Sequence, residues 1–429
     1  MRGFVHVIAA SIFLLLPQTL WAQPDQKWVV SWAASAHGPY PVGNPSAQPD
    51  QKFAFPSPPA GANDQTFRLI VRPDIWGRQA RLRFTNAFGT KPITFDDVFV
   101  GLQMGGPGLV KGTNRPVTFG GHQSVRVTPG STVWSDPVDL AFVRDPGAAE
   151  LAGRKLAVSF HVAGESGPMT WHAKALTTSY VTAPGAGSKG KDEDEAAFPY
   201  STASWFFVDA LEMMAPADSF AIVAFGDSIT DGTCTTVNAH ERWEDVLAQR
   251  LALRQSADRA VINEGIGGNT VTGGANLQPA PTSPPGVERL DRDVLSHAGV
   301  SHVVLFMGTN DIRREAPADQ VIAGTKDIIA RVKARGMKII GATIVPRHSV
   351  VPGVGNTGWN DAKTKVRNQV NDWIRKGTDF DAVIDFDKVV RSASDPDLLN
   401  PAYNCGDGVH PSSIGYYQMG KSVDLGLFG

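Results

Sequence analysis

The sequence has little cysteine and little excess charge of either sign. It contains 2 cysteines among 429 residues, and its formal net charge is −2. No CxxC pair, His-rich cluster or HExxH motif occurs, so the sequence predicts no metal site. No long basic block occurs either, which argues against nucleic acid as a partner.

Two common signatures of enzymes are also missing or broken. No GxSxG elbow occurs, which argues against the α/β-hydrolase class. The stretch GAGSKGKD at 185–192 has the spacing of a phosphate-binding loop up to its lysine, but Asp192 stands where Ser or Thr is needed. An acidic run follows, so this stretch predicts a solvated loop. GIGGNT at 265–270 lacks the GxGxxG spacing of a dinucleotide site.

Long apolar runs are scarce, and the one that stands out is at the N-terminus. Residues 1–22 contain Arg2, an apolar stretch well short of the ~20 residues of a membrane span, and Ala22 at the end. This predicts a cleaved signal peptide, no stable membrane insertion and a secreted or periplasmic protein. In such an oxidising compartment Cys234 and Cys405 are predicted to form one disulfide, with two separate buried thiols as the alternative.

The predicted secondary structure changes near residue 215, from strands alone to alternating strands and helices. Residues 23–215 contain short β-branched or aromatic runs between Gly, Pro and Asn, which predicts an accessory β-sandwich domain of jelly-roll type. In residues 216–429, five apolar strand patterns alternate with helical patterns, which predicts a catalytic domain with a doubly wound parallel sheet. Ligands of such sheets bind beyond the carboxyl ends of the strands.

Residues suited to acyl transfer follow four of these strands. Ser228 lies in GDSITDG after the first strand, and CGDGVHP after the fifth places Asp407 three residues before His410. A serine needs such a base, held by a third group, to act as a nucleophile. Gly268 and Asn310 follow the second and third strands and offer oxyanion donors, together with the Ser228 N–H. A serine alone would predict an ordinary helix cap, but the combination predicts a catalytic triad and an oxyanion hole.

The stretches GDSITDG, GIGGN, GTND and DGVHP resemble the four blocks of the SGNH (GDSL-type) hydrolase superfamily, over about residues 219 to 429. Five residues match its site positions, namely Ser228, Gly268, Asn310, Asp407 and His410. The resemblance implies a flavodoxin-like three-layer α/β/α fold and an esterase activity without metal or cofactor. The phrase ERLDRDVLSHAGVSHVVLFMGTNDI resembles secreted bacterial members with an additional N-terminal β domain. Gly267 departs from the pattern, since many members have a small hydroxylated residue there.

The leading hypothesis is a secreted serine esterase that cleaves a small-molecule or polysaccharide ester, with a short acyl group such as acetyl on a carbohydrate or other polar alcohol. The alternatives are a lipase or lysophospholipase, an acyltransferase to a polysaccharide, and a carbohydrate-binding protein with a vestigial hydrolase domain. Arg347 and Trp359 follow the fourth strand and are predicted to line the substrate cleft. Four other histidines are predicted to be structural: His240, His297, His302 and His348.

Overall fold

The computed structural model of the protein describes residues 25–255, 258–280 and 282–429. The predicted signal peptide, residues 1–22, lies outside the described residues. The N-terminal part consists of short and long strands, with one 3-10 turn at Ala149–Leu151. Its strands are β1 (Gln26–Ala33), β2 (Gly38–Pro39), β3 (Asn63–Val71), β4 (Gln79–Thr85), β5 (Ile93–Gly105), β6 (Gly108–Leu109), β7 (Arg115–Pro116), β8 (Ser124–Val127), β9 (Thr132–Trp134), β10 (Val138–Asp139), β11 (Leu156–Glu165), β12 (Thr170–His172), β13 (Ser179–Val181), β14 (Tyr200–Thr202), β15 (Trp205–Phe206) and β16 (Val208–Pro216).

These strands form antiparallel sheets around a core rich in aromatic side chains. The sheet orders are β1-β16-β4-β10, β14-β13-β3-β11-β5-β6 and β15-β12-β2. Along β3 the alternate residues Phe67, Leu69 and Val71 enter this core, as the period of two of a strand requires. The prediction of an antiparallel β domain is confirmed. Its jelly-roll type and its boundary at residue 215 stay predictions, although β16 extends through Pro216.

The C-terminal part alternates strands and helices. Its strands are β17 (Phe220–Gly226), β18 (Arg259–Gly265), β19 (Val300–Phe306), β20 (Lys338–Ala342), β21 (Val350–Val351), β22 (Gly355–Asn356) and β23 (Ala382–Ile384). Its helices are α1 (Ser228–Asp231), α2 (Trp243–Gln255), α3 (Gly286–Leu290), α4 (Thr309–Arg313), α5 (Ala318–Ala334), α6 (Asp361–Lys376), α7 (Phe386–Val390) and α8 (Ser413–Ser422), with a π-helical turn at Asp291–Leu295 and a 3-10 turn at Leu425–Phe428.

Five of these strands form one parallel sheet in the order β18-β17-β19-β20-β23. In β17, Val223 and Phe225 pack in the same core as residues of α3, α5 and α6. Ile222 and Ala224 point to the other face and pack with residues of α2, α7 and α8. The sheet is therefore covered by helices on both faces, and the predicted three-layer, doubly wound fold is confirmed. Among the described helices, none is long and apolar enough to cross a lipid bilayer.

The two parts meet through an extensive buried contact. Val29 and Val30 of β1 belong to the core on one face of the parallel sheet, and the Val30 N–H donates to the Ala298 carbonyl at 2.9 Å. Ser35, which follows β1, donates its hydroxyl proton to the buried Glu264 carboxylate at the end of β18. The β domain is thus packed against the same sheet that carries the candidate site.

Candidate active site

The segment after β17 presents a serine at the carboxyl edge of the sheet. Asp227 caps α1 by accepting the Ile229 N–H at 3.0 Å, and Ser228 is the first residue of the helix. The chain is tightly packed here, because a Cβ on Gly226 would lie 2.1 Å from Thr230 Oγ1. Glycine therefore lets the strand turn directly into the helix that carries the serine.

Ser228 and His410 are brought together from opposite ends of the domain. Ser228 Oγ lies 2.8 Å from His410 Nε2, and His410 Nδ1 lies 2.6 Å from Asp407 Oδ2. The other Asp407 oxygen accepts the N–H groups of Val409 and His410 at 2.8 and 2.9 Å, which holds the carboxylate in place. A carboxylate on Nδ1 leaves Nε2 free to accept the serine proton, which is the arrangement of a nucleophilic triad.

The two predicted oxyanion donors lie on strand ends beside that of β17. Gly268 follows β18 and has a φ of +78°, a backbone conformation that favours glycine. Asn310 lies in the first turn of α4, after β19, and its Nδ2 donates one proton to the Asn269 carbonyl at 3.0 Å. This bond fixes the orientation of the amide and leaves its second N–H for another acceptor. The oxyanion role of both groups stays a prediction.

Residues 224–418 match the family described as GDSL-like lipase/acylhydrolase. The C-terminal domain belongs to this family. The protein is accordingly a carboxylic ester hydrolase, and we refer to this part of the chain as the GDSL domain. A comparison with curated protein sequences gave no match.

A comparison with solved structures gave matches that cover about half of this chain. One is a carbohydrate acetylesterase family member from Sinorhizobium meliloti, with 18% identity and a TM-score of 0.38, covering 48% of this chain and 97% of that one. Another is a GDSL-like lipase from Bacteroides thetaiotaomicron, with 21% identity and a TM-score of 0.35, covering 47% of this chain and 84% of that one.

Burial and the nearby charges favour a neutral His410 and an ionised Asp407. Burial lowers the pKa of His410, Asp407 raises it, and the cations Lys174 and Arg347 lower it further. Burial opposes ionisation of Asp407, but its hydrogen bonds to His410 outweigh this and lower its pKa to about 2. A neutral imidazole oriented by a carboxylate can act as a general base near neutral pH.

Sequence analysis missed two side chains of the β domain that contact the segment just after Ser228. His172 Nε2 lies 3.1 Å from Asp231 Oδ1, and the other Asp231 oxygen accepts the Gly267 N–H at 2.8 Å. Lys174 is 1% exposed and donates to Thr233 Oγ1 at 2.5 Å. The sequence does contain a signal for these two residues. A histidine and a lysine stand in the otherwise apolar run WHAKAL at 171–176, which indicates buried polar side chains with polar partners.

Gly267, where the sequence departs from the family pattern, lies close to Lys174. A Cβ on Gly267 would lie 3.1 Å from Lys174 Nζ, which is closer than most side-chain contacts allow. Burial lowers the pKa of Lys174, and the carboxylates Asp231, Asp227 and Asp407 oppose that effect. A side chain at position 267 would therefore require a small movement of the Lys174 ammonium.

The remaining predicted residues have different outcomes. Cys234 and Cys405 form the predicted disulfide. Their sulfurs lie close to Asp407, but disulfide sulfurs are not free to bind a metal ion. Trp359 is 2% exposed and packs in the core of the GDSL domain, so it does not line a cleft as predicted. Arg347 lies over the Trp359 ring, and its predicted contact with substrate stays a prediction.

Three of the four histidines predicted to be structural have low pKa values. Burial lowers the pKa of His240 to about 3, and it lowers those of His297 and His302 to about 4. The fourth, His348, bonds through its ring to the Leu399 carbonyl at 3.3 Å and through its N–H to the Gly408 carbonyl. Packing and backbone contacts of this kind agree with the structural role that was predicted for them.

Proposed function

We propose that the protein is an exported serine esterase that hydrolyses short-chain esters, acetyl esters in particular, of a carbohydrate or another polar alcohol. The observation that carries the proposal is the hydrogen-bonded chain from Ser228 through His410 to Asp407, with distances of 2.8 and 2.6 Å. The disulfide supports export, because such bonds persist in oxidising compartments.

In the proposed mechanism His410 Nε2 takes the proton of Ser228 as Oγ attacks the ester carbonyl. The N–H groups of Ser228 and Gly268 and the free N–H of Asn310 bind the oxyanion. His410 then gives its proton to the leaving alcohol, and the acyl group stays on Ser228. A water molecule repeats the two steps on the acyl-enzyme and releases the acid, while Asp407 holds the imidazole in the required tautomer.

The surroundings of the nucleophile support a short acyl group and a polar alcohol. Ser228 is 5% exposed and Asn310 is 6% exposed, so the groups that would hold the ester carbonyl are almost fully buried. Arg347 places a positive charge near His410, the residue that would protonate the leaving alcohol, and this charge lowers the pKa of the histidine. Buried reacting groups with a charged guanidinium nearby are poorly suited to a long lipid chain.

The test is a series of acetyl, butyryl and octanoyl esters of one alcohol. A short acyl pocket discriminates by about 1–3 kcal/mol per methylene, so kcat/KM should fall steadily along the series. Ser228→Ala is the control for the site and should lower kcat by about three orders of magnitude or more. A rise of kcat/KM towards octanoyl would favour the lipase alternative, and near-normal activity of Ser228→Ala would contradict the triad.

A further inference from the structure

Three arginines lie together at the carboxyl edge of the parallel sheet, and we call Arg313, Arg314 and Arg347 the arginine cluster. Arg313 ends α4 and Arg314 follows it, whereas Arg347 lies in the segment after β20. Burial and the proximity of Arg313 both lower the pKa of Arg347, to about 10. Within the described residues, none of the three forms a salt bridge with a carboxylate.

One end of the cluster is attached to the predicted oxyanion hole. Arg314 Nη1 donates to the Gly268 carbonyl at 3.1 Å and to the Asn310 carbonyl at 3.4 Å. Arg313 lies three residues after Asn310 in α4, and residues at this spacing share one side of a helix. Arg313 therefore lies on the side of α4 that carries the predicted oxyanion amide.

Arg347, at the other end of the cluster, lies next to a residue that contacts the loop of Asp407 and His410. Arg347 precedes His348, whose N–H donates to the Gly408 carbonyl at 2.8 Å, between Asp407 and His410 in the chain. Arg347 Nη2 donates to the Thr357 carbonyl at 2.6 Å. Arg313 meets the same segment, since a Cβ on Gly358 would lie 3.0 Å from Arg313 Nε. The two guanidinium groups thus converge on residues 357–359.

The cluster has unused hydrogen-bonding capacity. Arg347 is 7% exposed, yet its buried Nε has no hydrogen-bond partner. An unpaired buried donor is costly, and the cost is larger on a charged group. Arg313 is partly exposed, and the contacts of its side chain within the described residues do not include an acceptor for its protons. A guanidinium group that lacks an acceptor within the protein is available to bind an acceptor on a ligand.

The nearby carboxylates are engaged elsewhere. Asp407 binds His410, and Glu315 pairs with Lys363 at 2.6 Å. Asp311 accepts the N–H groups of Val271 and Thr272 at 2.8 and 2.9 Å. Carboxylates act on the cluster without pairing with it: Asp227 and Asp407 act on Arg347, and Asp311 acts on Arg314.

We propose that the arginine cluster binds an anionic group, a carboxylate or a phosphate, on the alcohol portion of the ester. The proposal rests on the proposed function, in which His410 protonates the leaving alcohol. Arg347 lies near His410, so an anionic group on that alcohol would lie near the cluster. Guanidinium groups match the planar or tetrahedral oxygens of carboxylates and phosphates and bind them through paired N–H groups. The preferred substrate would then be an O-acetyl ester of an acidic sugar.

The test compares three matched substrates: an O-acetylated methyl glucoside, the corresponding methyl glucuronide, and the glucoside 6-phosphate. The wild type should hydrolyse at least one anionic ester with a kcat/KM about ten-fold or more above that of the neutral one, since charge-assisted hydrogen bonds are the strong ones. The two anionic substrates separate carboxylate from phosphate recognition. The preference should decrease at high ionic strength, because salt screens partly exposed charges.

Arg313→Met should bring the ratio of anionic to neutral kcat/KM towards one, and Arg313→Lys should restore part of it. Arg335→Met is the matched control, since Arg335 is an exposed arginine of the same domain at the C-terminal end of α5, and it should leave the ratio unchanged. A wild type that hydrolyses the neutral ester as well as both anionic ones would overturn the inference and leave the proposed function standing. No hydrolysis of any acetyl ester would overturn both.

Discussion

Removing the disulfide gives a prediction whose size follows from the structure. Cys234 and Cys405 are 171 residues apart, and the bond joins the segment after Ser228 to the loop that carries Asp407 and His410. For a closed loop of about 171 residues the chain-entropy relation gives about −17 cal/mol/K, or about 5 kcal/mol at 25 °C. We therefore expect the double substitution Cys234→Ala with Cys405→Ala to lower the free energy of unfolding by about this amount.

The assay is thermal unfolding with and without a reductant. With an unfolding entropy of about 2.1 cal/mol/K per residue over about 400 residues, a loss of 5 kcal/mol lowers the midpoint by about 6 °C. The wild type should lose this stability when reduced, and the double variant should not respond to reductant. Thiol labelling of the unreduced, unfolded wild type should find no free cysteine.

Two results would refute this reasoning. Equal midpoints for the oxidised wild type and the double variant would show that the bond does not restrict the unfolded chain. A large loss of kcat in the double variant at a temperature where it is folded would show that the bond also holds the triad. We expect a small effect on kcat, because the Cys405 N–H donates to the His410 carbonyl and the His348 N–H holds Gly408.

The remaining predictions concern the active site. Asn310→Ala should cost roughly 3 kcal/mol in kcat, as the loss of one oxyanion donor does, and an effect confined to KM would contradict that role. Because burial lowers the pKa of His410, kcat/KM should hold at mildly acidic pH and fall only as pH drops through this lowered pKa and the base becomes protonated. Lys174→Met should move this acid limb to higher pH, since the ammonium lowers the pKa of His410, and an unchanged pH profile would contradict it. Asp231→Asn should lower kcat, because Asp231 holds the Gly267 N–H beside the oxyanion turn, and unchanged turnover would show that the turn is held without it.

The parts of the site that lie at strand ends could be predicted from the sequence. Ser228 and His410 are 182 residues apart, yet each follows a strand of one parallel sheet, and the carboxyl ends of such strands form one edge. The same rule placed Gly268 and Asn310. The spacing of Asp407 and His410 within one turn predicted their contact, which needs no tertiary information.

The parts that depend on packing between elements could not be predicted. Lys174 of the β domain bonds Thr233 in the segment after Ser228, and a local sequence pattern does not reveal how two domains pack. Trp359 follows the fourth strand as predicted, but its ring points into the core, because position in a loop does not determine the direction of a side chain. The arginine cluster combines residues from two loops, and each arginine alone looks like an ordinary surface charge.

The buried contact between the two domains affects how the chain can be cut or recombined. Ser35 bonds Glu264, His172 lies against Asp231, and Val29 packs in a core of the GDSL domain. A fragment that begins at residue 217 would expose this apolar surface and remove the β-domain partners of Glu264 and Asp231. Chimeric proteins built from this hydrolase should therefore carry both domains together. The junction should lie before residue 25 and not in the short connection at 217–219.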